Sequence, residues 1–159
     1  MSTFKTSYGT EKQSITITIT SLTTGSVRGS VVVDNTTNLY LDALVQVQIK
    51  SGAGSTSANG YVNIYAYGTV DAADSLYTEG STGTDQAITL TVPTNARLIG
   101  TLNMVANSVT YVSEPFSVAA AFGGVLPEKW GIFVENQSGG TFDGTTAFAY
   151  YQGIWGQSV

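Results

Sequence analysis

The side chains left to carry acid–base chemistry in this chain are mainly carboxylates. Its 159 residues include no histidine and no cysteine. The commonest general base, the commonest metal ligand and the thiol nucleophile are therefore missing together. Ser–His and Cys–His pairs are excluded, as is a zinc site of ordinary ligands. What remains is two carboxylates flanking a scissile bond, the arrangement of glycoside hydrolysis. The acids nearest apolar stretches are Asp42, Glu114, Glu128 and Glu135. Glu135 closes an Ile-Phe-Val run and Asp42 sits inside a long alternating segment. No spacing brings two of them together, so surface or loop-capping roles are the simpler reading. The stretch Asp71–Gln86 holds four acids, but their spacing does not match the calcium-binding loop, and it reads as a solvated loop. The pairs Gly123-Gly124 and Gly139-Gly140 lack the lysine and the strand–helix setting of a phosphate-cradling loop. The sequence thus assigns no catalytic residue, no metal ligand and no cofactor.

The elements that would position such groups are strands. Ser14–Thr20 alternates isoleucine with threonine, a period of two made of β-branched residues. Leu39–Lys50 alternates over its whole length, with Leu39, Leu41, Ala43, Val45, Val47 and Ile49 on one face. Gly60–Val70 places Val62, Ile64 and Ala66 opposite Tyr61, Asn63, Tyr65 and Tyr67. Shorter strands are expected at Arg28–Val33 and Ala87–Val92. Arg97–Val105 and Val109–Ser113 read as a hairpin. The final strand, Thr145–Trp155, sets Phe148, Tyr150 and Ile154 against Ala147, Ala149, Tyr151 and Trp155. Between them lies Glu114–Asn136, long, apolar and nearly free of charge. It reads as strands near Phe116–Ala120 and Trp130–Glu135 joined through Gly123-Gly124 and Leu126-Pro127. Eight or nine strands with turn signals between them, and no convincing helix, predict an all-β chain. The expected form is an antiparallel β-sandwich of jelly-roll type. Residues 14–159 form its single domain. Residues 1–13 read as an N-terminal arm, either disordered or ordered on a neighbouring chain through Phe4 and Tyr8.

Composition narrows the function classes. Charged residues make up 11% of the chain, against about 25% in an ordinary globular protein. The net charge of −5 and the six scattered cations leave no basic stripe to neutralise phosphates, which argues against nucleic acid as partner. No run reaches the roughly 18 apolar residues of a membrane helix, so a soluble chain made in a cytoplasm is expected. Nine tyrosines, six phenylalanines and two tryptophans on a weakly charged scaffold suit a covered interface. They could also stack on sugars. On these grounds Phe4, Tyr8, Tyr65, Tyr67 and Phe122 are the candidate partner-binding residues.

Four segments carry a resemblance. DNTTNLYLDALVQVQIK (Asp34–Lys50), YVNIYAYGTV (Tyr61–Val70), PTNARLIGTL (Pro93–Leu102) and SEPFSVAAAFGGVLPEKWGIFVENQSGG (Ser113–Gly140) resemble small structural proteins of tailed phages. Those are the capsid decoration or cement proteins encoded beside the major capsid protein. The resemblance spans most of the chain from about residue 14 onward and rests on strand-and-turn wording without a catalytic signature. It implies a non-enzymatic virion protein, made in the bacterial host and placed on the capsid surface. Its partner would be the major capsid protein, whose capsomers it would hold together. It also implies a homo-oligomer, a trimer before a dimer. The alternative is a carbohydrate-binding β-sandwich module of a phage tail or fibre.

Overall fold

The computed structural model describes residues 3–54, 56–71 and 76–159. Two antiparallel sheets face each other across one apolar core. Sheet A contains β1 (Phe4–Tyr8), β2 (Gln13–Ile15), β5 (Asp42–Ser51), β9 (Thr110–Val112), β10 (Phe116–Ser117) and β12 (Phe142–Ser158). Sheet B contains β3 (Val27–Gly29), β4 (Val33–Asp34), β6 (Tyr61–Thr69), β7 (Gln86–Ile88), β8 (Arg97–Asn103) and β11 (Lys129–Gln137). Among the described residues these are twelve strands, where the sequence predicts eight or nine. The surplus is short segments sharing a neighbour: β1 and β2 both pair with β12, β3 and β4 with β11, and β9 and β10 with β5.

The period-two patterns become the core. Ala43, Val45, Val47 and Ile49 of β5 meet Val62, Ile64 and Ala66 of β6, together with Trp130, Ile132 and Val134 of β11. Trp130 is fully buried and meets the Tyr151 ring edge-on at 5.3 Å.

Four expectations are corrected. First, the alternation of Leu39–Lys50 does not run to its beginning: β5 starts at Asp42, and Leu39 and Leu41 are exposed. The Asn35 side chain donates to the Tyr40 carbonyl and accepts the Tyr40 N–H. That clasp turns the chain, with Leu39 at φ 53°, so that Tyr40 enters the core instead. Second, Ser14–Thr20 is a strand only to Ile15, although Ile15 and Ile19 are both buried. Beyond it the backbone joins a loop, with the Thr16 carbonyl accepting from Val31 N–H. Third, β8 and β9 do not form a hairpin. β8 pairs with β6 in one sheet and β9 with β5 in the other. Met104, fully buried, anchors the crossing between them. Fourth, the strand expected at Phe116–Ala120 ends at Ser117, and one helical turn, α1 (Val118–Ala121), follows. Ser117 caps that turn by accepting from Ala120 N–H, and the Asp42 carboxylate accepts from Ala119 N–H. Gly124 then returns its N–H to the Ala119 carbonyl from a left-handed conformation that favours glycine.

The segment read as an arm also has a place in the fold. Phe4–Tyr8 lies antiparallel on the end of β12, from Phe4 opposite Ser158 to Tyr8 opposite Ile154. It occupies the edge of β12 opposite β5, so that Ile154 pairs with Tyr8 on one side and Asp42 on the other.

Candidate functional site

The outer faces of the two sheets hold the aromatic and polar side chains that the core does not use. On sheet B the register builds them into rows. Glu135 of β11 lies opposite Val27 and Asn63, and Asn63 opposite Thr101. In the next row Phe133 lies opposite Gly29 and Tyr65, and in the one after, Gly131 opposite Tyr67.

Glu135 anchors a polar array across three strands. One of its oxygens accepts from Asn63 Nδ2 and from the Tyr65 hydroxyl, both at 2.9 Å. The other accepts from Gln137 Nε2 at 3.0 Å. Thr101 extends the chain by donating to Asn63 Oδ1 at 2.9 Å. Partial burial raises the Glu135 pKa, but the bonds from Asn63, Gln137 and Tyr65 outweigh it and leave the carboxyl below its ordinary value. Burial and the bond to Glu135 push the Tyr65 phenol up to about 12. The array is therefore an ionised carboxylate with neutral donors around it. This is a hydrogen-bonding platform and not an acid–base pair.

Beside this array the same face is roofed. Residues 76–96 fold over it, and Tyr77, Ile88, Leu90 and Ala96 pack with Val27, Tyr67 and Phe133 in a second apolar cluster. Tyr67 stacks on Phe133 at 4.5 Å and donates to the Ser30 carbonyl at 2.7 Å. Its ring occupies the space that a side chain at Gly131 would need. Glu79 ties the roof. It accepts from the N–H and hydroxyl of Thr91, the Thr94 hydroxyl and the Asn95 N–H. Slight burial raises its pKa, but these bonds dominate and hold the carboxyl at about 2. Asp85 is likewise occupied, by Arg28 and Thr18. Two of the four acids of Asp71–Gln86 thus tie the loop to neighbouring segments, while Asp74 lies outside the described residues.

Among the described residues no such roof crosses the outer face of sheet A, where the Glu11-Lys12 turn and Pro115 border a hollow beside Tyr150 and Gln152. Phe4 and Tyr8 of β1 are 71% and 60% exposed, and Phe148 of β12 is 42% exposed. Phe148 and Tyr150 sit 6.2 Å apart, with Leu44, Gln152 and Ile154 half-buried around them. The seventeen-residue β12 carries one charge, Asp143. On β5 the charges stand at the two ends. Asp42 is bound by Ser117 and Ala119, and Lys50 lies 3.5 Å from Asp143.

The residues named from sequence therefore fall on separate surfaces. Phe4 and Tyr8 lie on sheet A, and Tyr65 in the sheet B array. Tyr67 is 1% exposed, so as a partner-binding residue it is corrected: residues 76–96, whose placement over this face no pattern within the strand announces, cover it. Phe122 follows α1 and packs half-buried against the main core, next to a hollow lined by Gly68, Thr69, Leu76 and Pro127. Of the four acids first considered, Asp42 and Glu135 are consumed by the bonds above, and Glu114 and Glu128 are exposed. Among the described residues, no three acids cluster as they would around a metal ion. Sequence reasoning missed the Glu135–Asn63 link. The equal parity of Asn63 and Tyr65 on β6 was a signal, but their partner strand was not readable.

The fold defines a class, the two-sheet antiparallel β-sandwich. No protein-family model matches the chain, and no curated protein matches it.

Proposed function

We propose that this chain is a non-enzymatic structural protein of a phage virion. In this reading it decorates the outer capsid surface and stabilises contacts between capsomers of the major capsid protein. The observation that supports this best is the outer face of sheet A: exposed aromatics on a broad strand surface with charges only at its margins. Exposed apolar patches of this kind mark surfaces that another protein covers. Weak contacts repeated by capsid symmetry would supply the holding strength by avidity. The crossings between sheets at β5–β6 and β8–β9 also support the finer fold reading, a jelly-roll type. Purified protein added to capsids lacking it should bind them and restore resistance to heat. Capsids that neither bind the protein nor gain stability would sink the proposal.

A second reading has its own observation. The Glu135 array, with the exposed Tyr61 beside it, presents amides, hydroxyls and an aromatic face, a set that suits the hydroxyls and apolar faces of a neutral sugar. This would make the chain a carbohydrate-binding module of a tail or fibre. Glycan-array screening with Tyr65→Ala and Asn63→Ala controls tests it, and silence across glycans counts against it.

A further inference from the structure

The edge of β1 carries a self-complementary pattern. Thr3 and Val159 exchange both backbone hydrogen bonds, each at 2.9 Å, and Gly9 N–H donates to the Gly153 carbonyl at 2.8 Å. In an antiparallel pair, residues alternate between bonding the neighbour strand and pointing away from it. Lys5 and Ser7 therefore bond β12, while Phe4, Thr6 and Tyr8 turn their N–H and C=O groups outward. β12 is the one strand paired with β1 among the described residues. The same three residues share a side-chain face, and the Phe4 ring lies where a Cβ on Gly156 would have to sit. Natural edge strands are commonly blunted by proline, bulges or inward-pointing charges. β1 has no proline, pairs without a bulge and keeps a single charge, Lys5.

We propose that β1 is a homodimer edge, pairing antiparallel with β1 of a second copy about a twofold axis at Thr6. The register follows from the residues. Thr6 meets Thr6 of the other copy, and Phe4 meets Tyr8 in both directions. Every outward backbone group of the strand is then used, in about six hydrogen bonds. The two exposed aromatics form two cross-strand aromatic pairs. Lys5 falls opposite Ser7. An axis at Lys5 would instead set two ammonium groups face to face. The occupant is a second copy because the pattern aromatic-x-Thr-x-aromatic reads the same in both directions. The sheets of the two copies, each four strand positions wide from β1 through β12 and β5 to β10, merge into one continuous sheet. An isologous edge of this kind closes as a dimer and not as a trimer. The inference does not depend on the virion reading, because it concerns the purified chain alone.

Sedimentation of the full chain over a concentration series is expected to show a monomer–dimer equilibrium. Thr6→Pro removes one outward N–H and leaves the bonds to β12 in place. It should abolish the dimer while the thermal midpoint of the monomer is retained. Phe4→Ala with Tyr8→Ala should weaken dimerisation roughly tenfold or more. Because the chain has no cysteine, Thr6→Cys gives a single thiol on the axis. A short bis-maleimide cross-linker, to which each thiol adds across a double bond, should join it into a covalent dimer far faster than it joins Ser7→Cys, whose side chain lies on the opposite face of the sheet. A chain that stays monomeric or forms a trimer overturns the proposal, as does equal cross-linking of the two cysteine variants.

Discussion

On the outer face of sheet B, Phe133 and Tyr67 lie beneath residues 76–96, and the polar side chains beside them bond one another. On the outer face of sheet A, Tyr8, Tyr150 and Phe148 face outward without a roof among the described residues. Both faces come from strands of similar aromatic content. The difference is the long connection between β6 and β8, which passes over sheet B. A face that the chain covers itself becomes a second core. A face left uncovered, with few charges to keep it apart from other proteins, is suited to an external partner.

The comparison breaks most visibly at Phe133. Fully buried and stacked on Tyr67, it behaves as a core residue although it points away from the main core. Phe133→Ala should cost about 3–5 kcal/mol, read from urea unfolding. A loss under about 1 kcal/mol would mean that the roof closes over the gap, or that it contributes little to the folded state.

A smaller effect is expected in the polar array. Tyr65→Phe deletes the hydroxyl that donates to Glu135 and leaves the ring in place. The loss should be about 0.5–1.5 kcal/mol. Glu135→Gln should lower the pH at which the Tyr65 phenol ionises, since the bond to the carboxylate helps hold it near 12. Ultraviolet titration of the tyrosines reads this directly, and an unchanged profile would remove the carboxylate as a cause.

The two faces also mark how far the sequence could be read. The buried positions of β5 and β6 follow from period-two alternation, and Ala43–Ile49 and Val62–Ala66 enter the core on that basis, whereas β12 is apolar on both faces and its pattern does not say which is buried. The assignment failed where a single side chain redirected the backbone, as Asn35 does at Tyr40. It failed again where strand partners are distant in sequence, as for β8 and β9. Tyr67 was placed correctly on the outer face of its strand, yet exposure depends on what crosses above: the alternation of Ala87–Val92 announces a strand, but not that Ile88 and Leu90 would lie over Tyr67. The Glu135 array joins residues 72 positions apart, from Asn63 to Glu135, which alternation within either strand cannot reveal. By contrast Phe4 and Tyr8 were legible as exposed aromatics, but not as members of a strand, because β1 is defined by the far end of the chain.

The roof itself responds to pH through Glu79. Its carboxyl titrates at about 2 when folded, against an ordinary 4.5. A folded value below the unfolded one gives stability that is present above pH about 4.5. That stability is lost as the pH falls towards 2. The group is largely solvated, so screening limits the effect to about 1 kcal/mol or less. Glu79→Gln should flatten that part of the acid unfolding curve and raise hydrogen exchange at Thr91 and Asn95. The amides of β5 should stay protected. Equal loosening of β5 would show that the roof and the sandwich unfold as one unit.

The smallest change in stability belongs to the unroofed face, and there it separates folding from association most cleanly. Phe148→Ser with Tyr150→Ser removes two rings that meet each other at 6.2 Å on the outer face of sheet A. Phe148 already exposes 42% of its surface, and Tyr150 is half-buried beside it. The pair should shift unfolding by only about 0.5–1 kcal/mol, near the detection limit of a urea titration. If the chain decorates capsids as proposed, capsid binding, measured by co-sedimentation with shells lacking the protein, should fall far more than stability does. If binding is retained while stability drops by several kcal/mol, these rings serve the fold. The outer face of sheet A would then be a second core like that of sheet B, and not the docking surface.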